Sequence, residues 1–293
     1  MPDVSDPSVQ VVAPGRADHA GHAGHGQANS AATVLPGEFT PRVVGVFAWY
    51  VRRLLSKKFY AIRAVGNTAE VLKTAAAVPG PVMVLVSHAA WWDPLICTFL
   101  GRECVPGRTA CAPMDITQLR KFNFFRKLGL FGIDPDSKAS MRAMGDYVAA
   151  RFASDPLPTL WITPQGRFAD VRSPLRIRPG AAAIAGATPN IHVISLAIEY
   201  TFWLDQRPEV MLRLQRVESP ARVDTLGWQR MITSAMSYNQ SALAAAVMAR
   251  DPGAFTTLLG GGTARTNILY DLWRRLRGST TDVSDTHRKG DTP

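Results

Sequence analysis

Two rhythms of apolar and polar residues alternate along the chain. Short apolar runs bounded by turn residues predict strands at Tyr60–Val65, Val82–Ser87, Thr109–Ala112, Leu130–Ile133, Thr159–Ile162, His192–Ile198 and Val210–Arg216. Helical spacing between them predicts helices at Thr68–Ala77, Pro94–Leu100, Thr117–Leu128, Ser137–Phe152 and Ala181–Gly186. An earlier helix, Arg42–Ser56, begins just after Pro41 and places Val43, Phe47, Tyr50, Val51 and Leu54 at helical spacing. Arg52, Arg53, Lys57 and Lys58 crowd its C-terminal end, where the helix dipole favours cations. A long helical region, Thr225–Arg250, and a last helix, Thr266–Arg277, complete the pattern. Strands alternating with helices predict an α/β fold with a mixed, largely parallel sheet flanked by helices.

Residues 1–38 are rich in Ala, Gly, Pro, Ser and His and show no periodicity, so they read as a disordered tail. His19, His22 and His25 repeat there at a spacing of three, but nothing nearby would hold a metal site rigid. Residues 278–293 are polar and read as a second tail, which leaves a domain over 39–277 with an amphipathic helix at its start. The chain's formal charge of +10 favours an anionic partner. Its longest apolar run, Val43–Val51, is far short of the roughly 20 residues a membrane-spanning helix needs. The N-terminus carries early acidic residues and no apolar segment of the secretory kind. The expectation is a cytoplasmic protein, peripheral on the inner face of the cell membrane. Cys97, Cys104 and Cys111 are odd in number and contain no Cys-x-x-Cys pair, so they read as free, buried thiols.

Outside the N-terminal tail there are three histidines, His88, His192 and His287. His287 lies in the polar C-terminal stretch, and His192 opens an apolar strand, where a packed structural role fits it. His88 instead follows the strand Val82–Val86 and precedes a helix, and α/β proteins place their ligands at strand C-termini. The sequence runs Ser87-His88-Ala89-Ala90-Trp91-Trp92-Asp93-Pro94. A carboxylate five residues on can reach back to Nδ1, fix the tautomer and leave Nε2 as a general base. Asp93 followed by Pro94 also suits a helix N-cap, and the two roles are compatible. Adjacent strand residues face opposite ways, so Ser87 is not expected to pair with the His88 ring.

The segment His88 to Asp93 resembles the His-x4-Asp motif of the glycerolipid acyltransferase family, which includes lysophosphatidic acid acyltransferases. Three further blocks follow in the family's order. Phe131-Gly132-Ile133-Asp134-Pro135 resembles the second, usually ending Ile-Asp-Arg. Thr163-Pro164-Gln165-Gly166-Arg167 resembles the third, usually Phe-Pro-Glu-Gly-Thr-Arg. Val193-Ile194-Ser195-Leu196-Ala197-Ile198 resembles the fourth, usually Ile-Val-Pro-Val-Ala-Ile. The resemblance implies an acyltransferase-like fold and an O-acyltransferase. In it, His88, oriented by Asp93, deprotonates a lysophospholipid hydroxyl of the 1-acylglycerol-3-phosphate kind. That hydroxyl attacks the thioester of acyl-CoA or acyl-carrier protein. No cofactor and no metal are implied. The third block would line the acceptor site through Pro164, Gln165, Gly166 and Arg167. Pro135 stands where the second block usually has Arg, Gln165 replaces Glu, and no Thr separates Gly166 from Arg167. Arg172 and Arg178 are basic substitutes in the same loop. An acceptor without phosphate, such as a glycolipid hydroxyl, and a non-catalytic lipid-binding protein of the same fold remain alternatives.

Leu119–Leu128 interleaves cations and aromatics. It suits a half-buried helix or contact with an anionic membrane. Nucleic acid is set aside because no recognised binding module accompanies it. The run Gly260-Gly261-Gly262-Thr263 lacks the Lys-Ser/Thr of a phosphate loop, and neither Gly-x-Ser-x-Gly nor a strand-linked Gly-x-Gly-x-x-Gly occurs.

Overall fold

A computed structural model describes residues 34–203, 205–218 and 223–261. Within them an eight-stranded sheet runs in the order β4-β3-β5-β2-β6-β7-β1-β8. The strands are β1 (Ala61–Val65), β2 (Val82–Val86), β3 (Thr109–Asp115), β4 (Leu130–Ile133), β5 (Pro158–Ile162), β6 (His192–Thr201), β7 (Glu209–Arg216) and β8 (Phe255–Gly260). Five pairings are parallel, and β6–β7 and β1–β8 are antiparallel. The fold is α/β with a mixed, largely parallel sheet, as the pattern predicts.

Helices cover both faces. They are α1 (Pro41–Lys58), α2 (Thr68–Ala77), α3 (Asp93–Glu103), α4 (Ile116–Lys121), α5 (Lys138–Ser154), α6 (Gly180–Ala187) and α7 (Thr225–Ala249). The two-residue period of β2 explains how one strand serves two cores. Val82, Val84 and Val86 pack with α1, α2 and α3, whereas Met83 and Leu85 pack with α5, α6 and α7. A strand buried on both faces reads as a continuous apolar run, which is why Val82–Val86 has no polar position.

Four differences from the sequence reading have local causes. Residues 34–38, assigned to the tail, lie against the sheet's edge, where Leu35 and Gly132 exchange backbone hydrogen bonds of 3.0 and 2.7 Å. An edge strand offers unpaired backbone groups, and this short segment covers them without any periodic pattern of its own. The predicted helix Thr117–Leu128 is two pieces. Phe122, at φ −116° and ψ 59°, separates α4 from a 3-10 helix at Asn123–Leu128. Strand β8 escaped prediction because its partner β1 lies nearly two hundred residues away in sequence. Its terminal Gly260 has φ +77°, and a Cβ there would sit 2.2 Å from the Tyr60 carbonyl oxygen, so the glycine run serves a close backbone approach. Finally, α3 begins at Asp93 itself, one residue earlier than expected. The predicted helix Thr266–Arg277 and the tail 278–293 lie outside the described residues.

Gly129 ends the 3-10 helix at φ +92° and brings β4 beside β3, with a substituted Cβ 2.3 Å from the Ala110 carbonyl oxygen. Gly129→Ala therefore meets both left-handed backbone strain and a backbone clash. We expect it to destabilise the domain by at least about 2 kcal/mol, read as a fall in the urea midpoint.

Candidate active site

Strands β4, β3, β5, β2 and β6 run parallel, so their C-termini share one edge of the sheet. His88 leaves β2 at this edge. The Pro164–Arg167 loop leaves β5, Pro135 follows β4, and Tyr200 lies near the end of β6. The topology thus gathers four separated sequence blocks at one place.

His88 Nδ1 lies 2.9 Å from Asp93 Oδ2. The Asp93 side chain is 1% exposed and that of His88 17%. Two further donors reach the same carboxylate: Ala90 N–H donates to Oδ2 at 2.9 Å, and the Tyr200 hydroxyl donates to Oδ1 at 2.6 Å. An ionised carboxylate only accepts, so Nδ1 carries the proton and Nε2 holds a free lone pair. Asp93 does not cap α3, since its side chain makes no bond to the first-turn amides that follow it. Burial, and then the charge of Asp93, push the Tyr200 phenol well above its ordinary pKa, so it stays a donor. Phe59, Trp92 and Tyr200 form an aromatic cluster beside the carboxylate. Phe168 lies over the imidazole, with ring centroids 4.2 Å apart. Ser87 turns away, its Oγ accepting the Ile198 amide at 3.0 Å, in line with the strand alternation.

The third block is tied to His88 through its backbone. Gln165 Oε1 accepts the His88 amide at 2.9 Å, and Ala169 N–H donates to the His88 carbonyl at 2.9 Å. Gln165 therefore turns to the strand end and does not line the cavity, because the first amide past the ladder needs a partner. Pro164, Gly166, Arg167 and Arg178 do line it. Arg178 donates to the Pro135 carbonyl at 2.8 Å and pairs with Asp136 at 3.4 Å. Arg167 is exposed, without an ion-pair partner among the described residues. Arg172 stands apart: it is exposed and grips Asp170 through Nε and Nη2 at 2.8 and 2.7 Å. That two-point bond holds the Asp170 carboxyl well below its usual range.

The cavity beside His88 has a volume of about 800 Å³. Its walls are chiefly apolar: Phe47 of α1, Leu95 of α3, Trp161 of β5, Leu130 and Ile133 of β4, and Met144 of α5 all contribute. Charged and titratable side chains in the lining include His88, Arg102, Arg108, Asp115, Arg167 and Arg178. Cys97, one helical turn beyond Asp93, also lines it. Burial and the Asp93 charge push its thiol up; burial takes Cys104 to about 11 and Cys111 to about 12. All three thiols are free and protonated near neutral pH; Cys111 is buried, as expected, whereas Cys97 and Cys104 are only half-buried. Among the described residues no group of three or more His, Cys, Asp or Glu is arranged to hold a metal ion. His192 lies buried at the start of β6, at the opposite end of the strand from this site.

Sequence reasoning missed Tyr200, Phe168 and Trp161. Tyr200 alone left a signal, as a polar aromatic just past the fourth block.

Comparison with known families fits this geometry. Residues 67–199 match the model of the Acyltransferase family, a span that takes in all four motif blocks. Residues 67–199 are thus similar to the Acyltransferase family, in keeping with the four motif blocks. The match supports an acyltransferase enzyme, with an acyl donor and a lipid acceptor in general. Compared with curated proteins, the sequence finds no match.

Tyr200→Phe strips Asp93 Oδ1 of its hydroxyl donor while keeping the ring. Leaving a buried carboxylate oxygen unpaired costs about 1–3 kcal/mol, and we expect the chemical denaturation midpoint to fall accordingly.

Proposed function

We propose that the enzyme moves a fatty acyl group from acyl-CoA or acyl-carrier protein to the hydroxyl of a lysophospholipid, a 1-acylglycerol-3-phosphate or its like. The observation that carries this reading is the His88–Asp93 pair at the lip of an apolar cavity. Nε2 takes the acceptor hydroxyl's proton as the oxygen attacks the thioester carbonyl. The tetrahedral intermediate collapses, expelling the thiolate, and the imidazolium returns its proton to that sulfur. Asp93 stabilises the imidazolium between the two transfers without itself becoming protonated. Phe168 over the ring favours the same cationic state. The apolar walls suit an acyl chain, and Arg167 suits an acceptor phosphate.

One observation favours a second reading, an acceptor without phosphate. Arg178 and Arg172 are already paired with Asp136 and Asp170, which leaves Arg167 as the cavity-lining cation of this loop without an ion-pair partner among the described residues. Radiolabelled palmitoyl-CoA offered with lysophosphatidic acid and with a monoacylglycerol separates the two. We expect His88→Ala to lower transfer about 10²–10⁴-fold in protein that still folds, with a fall in the denaturation midpoint no larger than that of Tyr200→Phe. Arg167→Ala should raise the KM for lysophosphatidic acid and leave that for the monoacylglycerol unchanged. Transfer indifferent to His88 would reject the mechanism. A KM for lysophosphatidic acid that ignores Arg167 would favour the uncharged acceptor.

We further propose that the protein works on an anionic membrane, at the inner face of the cell membrane. No helix among the described residues is long and apolar enough to cross one. Helix α1 buries Ala48, Val51 and Leu55 but exposes Val46 by 70% and Trp49 by 66%, and Tyr50 lies beside them. Phe47 meets Phe124 of the 3-10 helix at 5.8 Å, and Phe122 and Phe124 extend the exposed apolar surface. Lys57, Lys58 and Lys121 add positive charge to the same elements. Juxtamembrane cations contribute about 1 kcal/mol each, so replacing Lys57 and Lys58 together by Gln should weaken binding about thirtyfold. Co-flotation with phosphatidylserine-containing vesicles measures this, and equal binding to neutral vesicles would reject the electrostatic part.

A further inference from the structure

We infer that Gln229 and Gln240 of α7 are positioning residues for the loop that presents Arg167, Phe168 and Arg178 to the cavity. This rests on the reading that the loop meets the acceptor. Helix α7 lies outside the stretch matched by the family model. Gln229 Nε2 donates to the Ile177 carbonyl at 2.9 Å, and Gln240 Nε2 donates to the Val171 carbonyl. The two glutamines are eleven residues apart, about three helical turns, so they share a face and stand roughly 16 Å apart along the axis. Five residues lie between Val171 and Ile177, and the six steps of such a stretch span at most about 20 Å. The chain between the two carbonyls leaves a turn closed by the Ser173 amide on the Asp170 carbonyl at 2.9 Å, and the two α7 bonds hold both of its ends against one face of the helix.

The amide oxygens of both glutamines are buried with no partner among the described residues. A buried polar atom without a partner is uncommon and costly. These rotamers are held by what the nitrogen gains at the loop. The loop is also anchored at the His88 backbone, through Ala169 and Gln165, and at its far end by Arg178, whose amide donates to the Pro164 carbonyl at 2.8 Å and whose guanidinium donates to the Pro135 carbonyl. Phe168 lies three residues before the first α7 clip, and Arg178 directly follows the second. Slack at α7 displaces those side chains while His88 and Asp93 stay fixed by β2 and β6. The expected signature is loss of acceptor use with donor chemistry intact.

Gln→Met keeps the side chain's length, removes the donor and also removes the orphaned oxygen, so folding is spared. In the full-length Gln229→Met/Gln240→Met protein we expect hydrogen exchange of amides 168–178 to quicken about tenfold. Exchange over 82–88 and the thermal midpoint should be unchanged. With palmitoyl-CoA as donor and lysophosphatidic acid or monoacylglycerol as acceptor, a loosened loop should raise acceptor KM about tenfold. The KM for palmitoyl-CoA and its acceptor-independent hydrolysis should hold. Unchanged exchange across 168–178 overturns the inference, as does parallel loss of hydrolysis and transfer. A wild-type enzyme idle on both acceptors rejects the functional reading instead, and the exchange result still decides the clamp.

Discussion

The buried carboxylate of Asp93 is the constraint around which the centre of this molecule is arranged. A charge sealed from water is tolerated when hydrogen bonds replace its hydration. Here the donors come from three separate places: the exit of β2, the turn at Ala90, and β6 through Tyr200. They meet only if β2 and β6 lie side by side in one register. The pairing of Val86 with Leu196 fixes that register, and Ser87, with bonds to Leu196 and Ile198, continues it one residue beyond the strand. A slip of one residue would turn Tyr200 to the other face of the sheet. The central pairing and the polar hub therefore specify one another.

The two antiparallel reversals divide the sheet into halves with different duties. The five parallel strands all open towards the site. Beyond the β6–β7 reversal, β7, β1 and β8 carry a structural load, with the buried pair Arg63–Glu209 at 2.5 Å and Thr257 bound to the same guanidinium. Such a pair is weak evidence for stability but strict about geometry. It ties β1 to both of its neighbours, where short strands would otherwise depend on few ladder bonds. On the other side of the sheet Arg108 gathers the carbonyls of Val78, Gly80 and Pro158. That joins the end of α2 to the start of β5, at the edge opposite the site.

What the sequence made legible follows from the range of the interactions involved. Seven strands and the register of most helices were readable because their burial is periodic and local. The His88–Asp93 pair was readable because five residues and one turn contain it. Tyr200 was not, since its bond to Asp93 spans more than a hundred residues. The capping reading of Asp93 was reasonable from Asp followed by Pro, yet it yields because the imidazole, the Ala90 amide and the phenol together offer a buried carboxylate more than first-turn amides would. The arginines were the least legible. Arg172 and Arg178 each have a carboxylate within reach, Asp170 two residues away in sequence and Asp136 across the loop, and sequence position alone did not show which cations those carboxylates would take. Strand β8 and the segment at Leu35 share one reason for escaping notice: each is an edge piece whose order comes from its partner.

The site joins a rigid half to an adjustable one, and the difference has a physical basis. His88 and Asp93 are fixed by strand pairing and by a hub with every donor placed, so their geometry changes only if the sheet itself does. The loop from Pro164 to Pro179 has no sheet or helix of its own. It is held by hydrogen bonds at intervals, to His88, to α7 and through Arg178 to Pro164 and Pro135, and by Leu175 and Ile177 packed on the core. Isolated bonds of this kind contribute little apiece, about 1 kcal/mol, and open more readily than a ladder. The proton-transferring pair is thus the part least able to vary. The acceptor-facing wall can change through residues such as Gln229 and Gln240 without disturbing the chemistry, and divergence in the third block, from Glu to Gln165 and from Thr-Arg to Arg167, falls on that adjustable side.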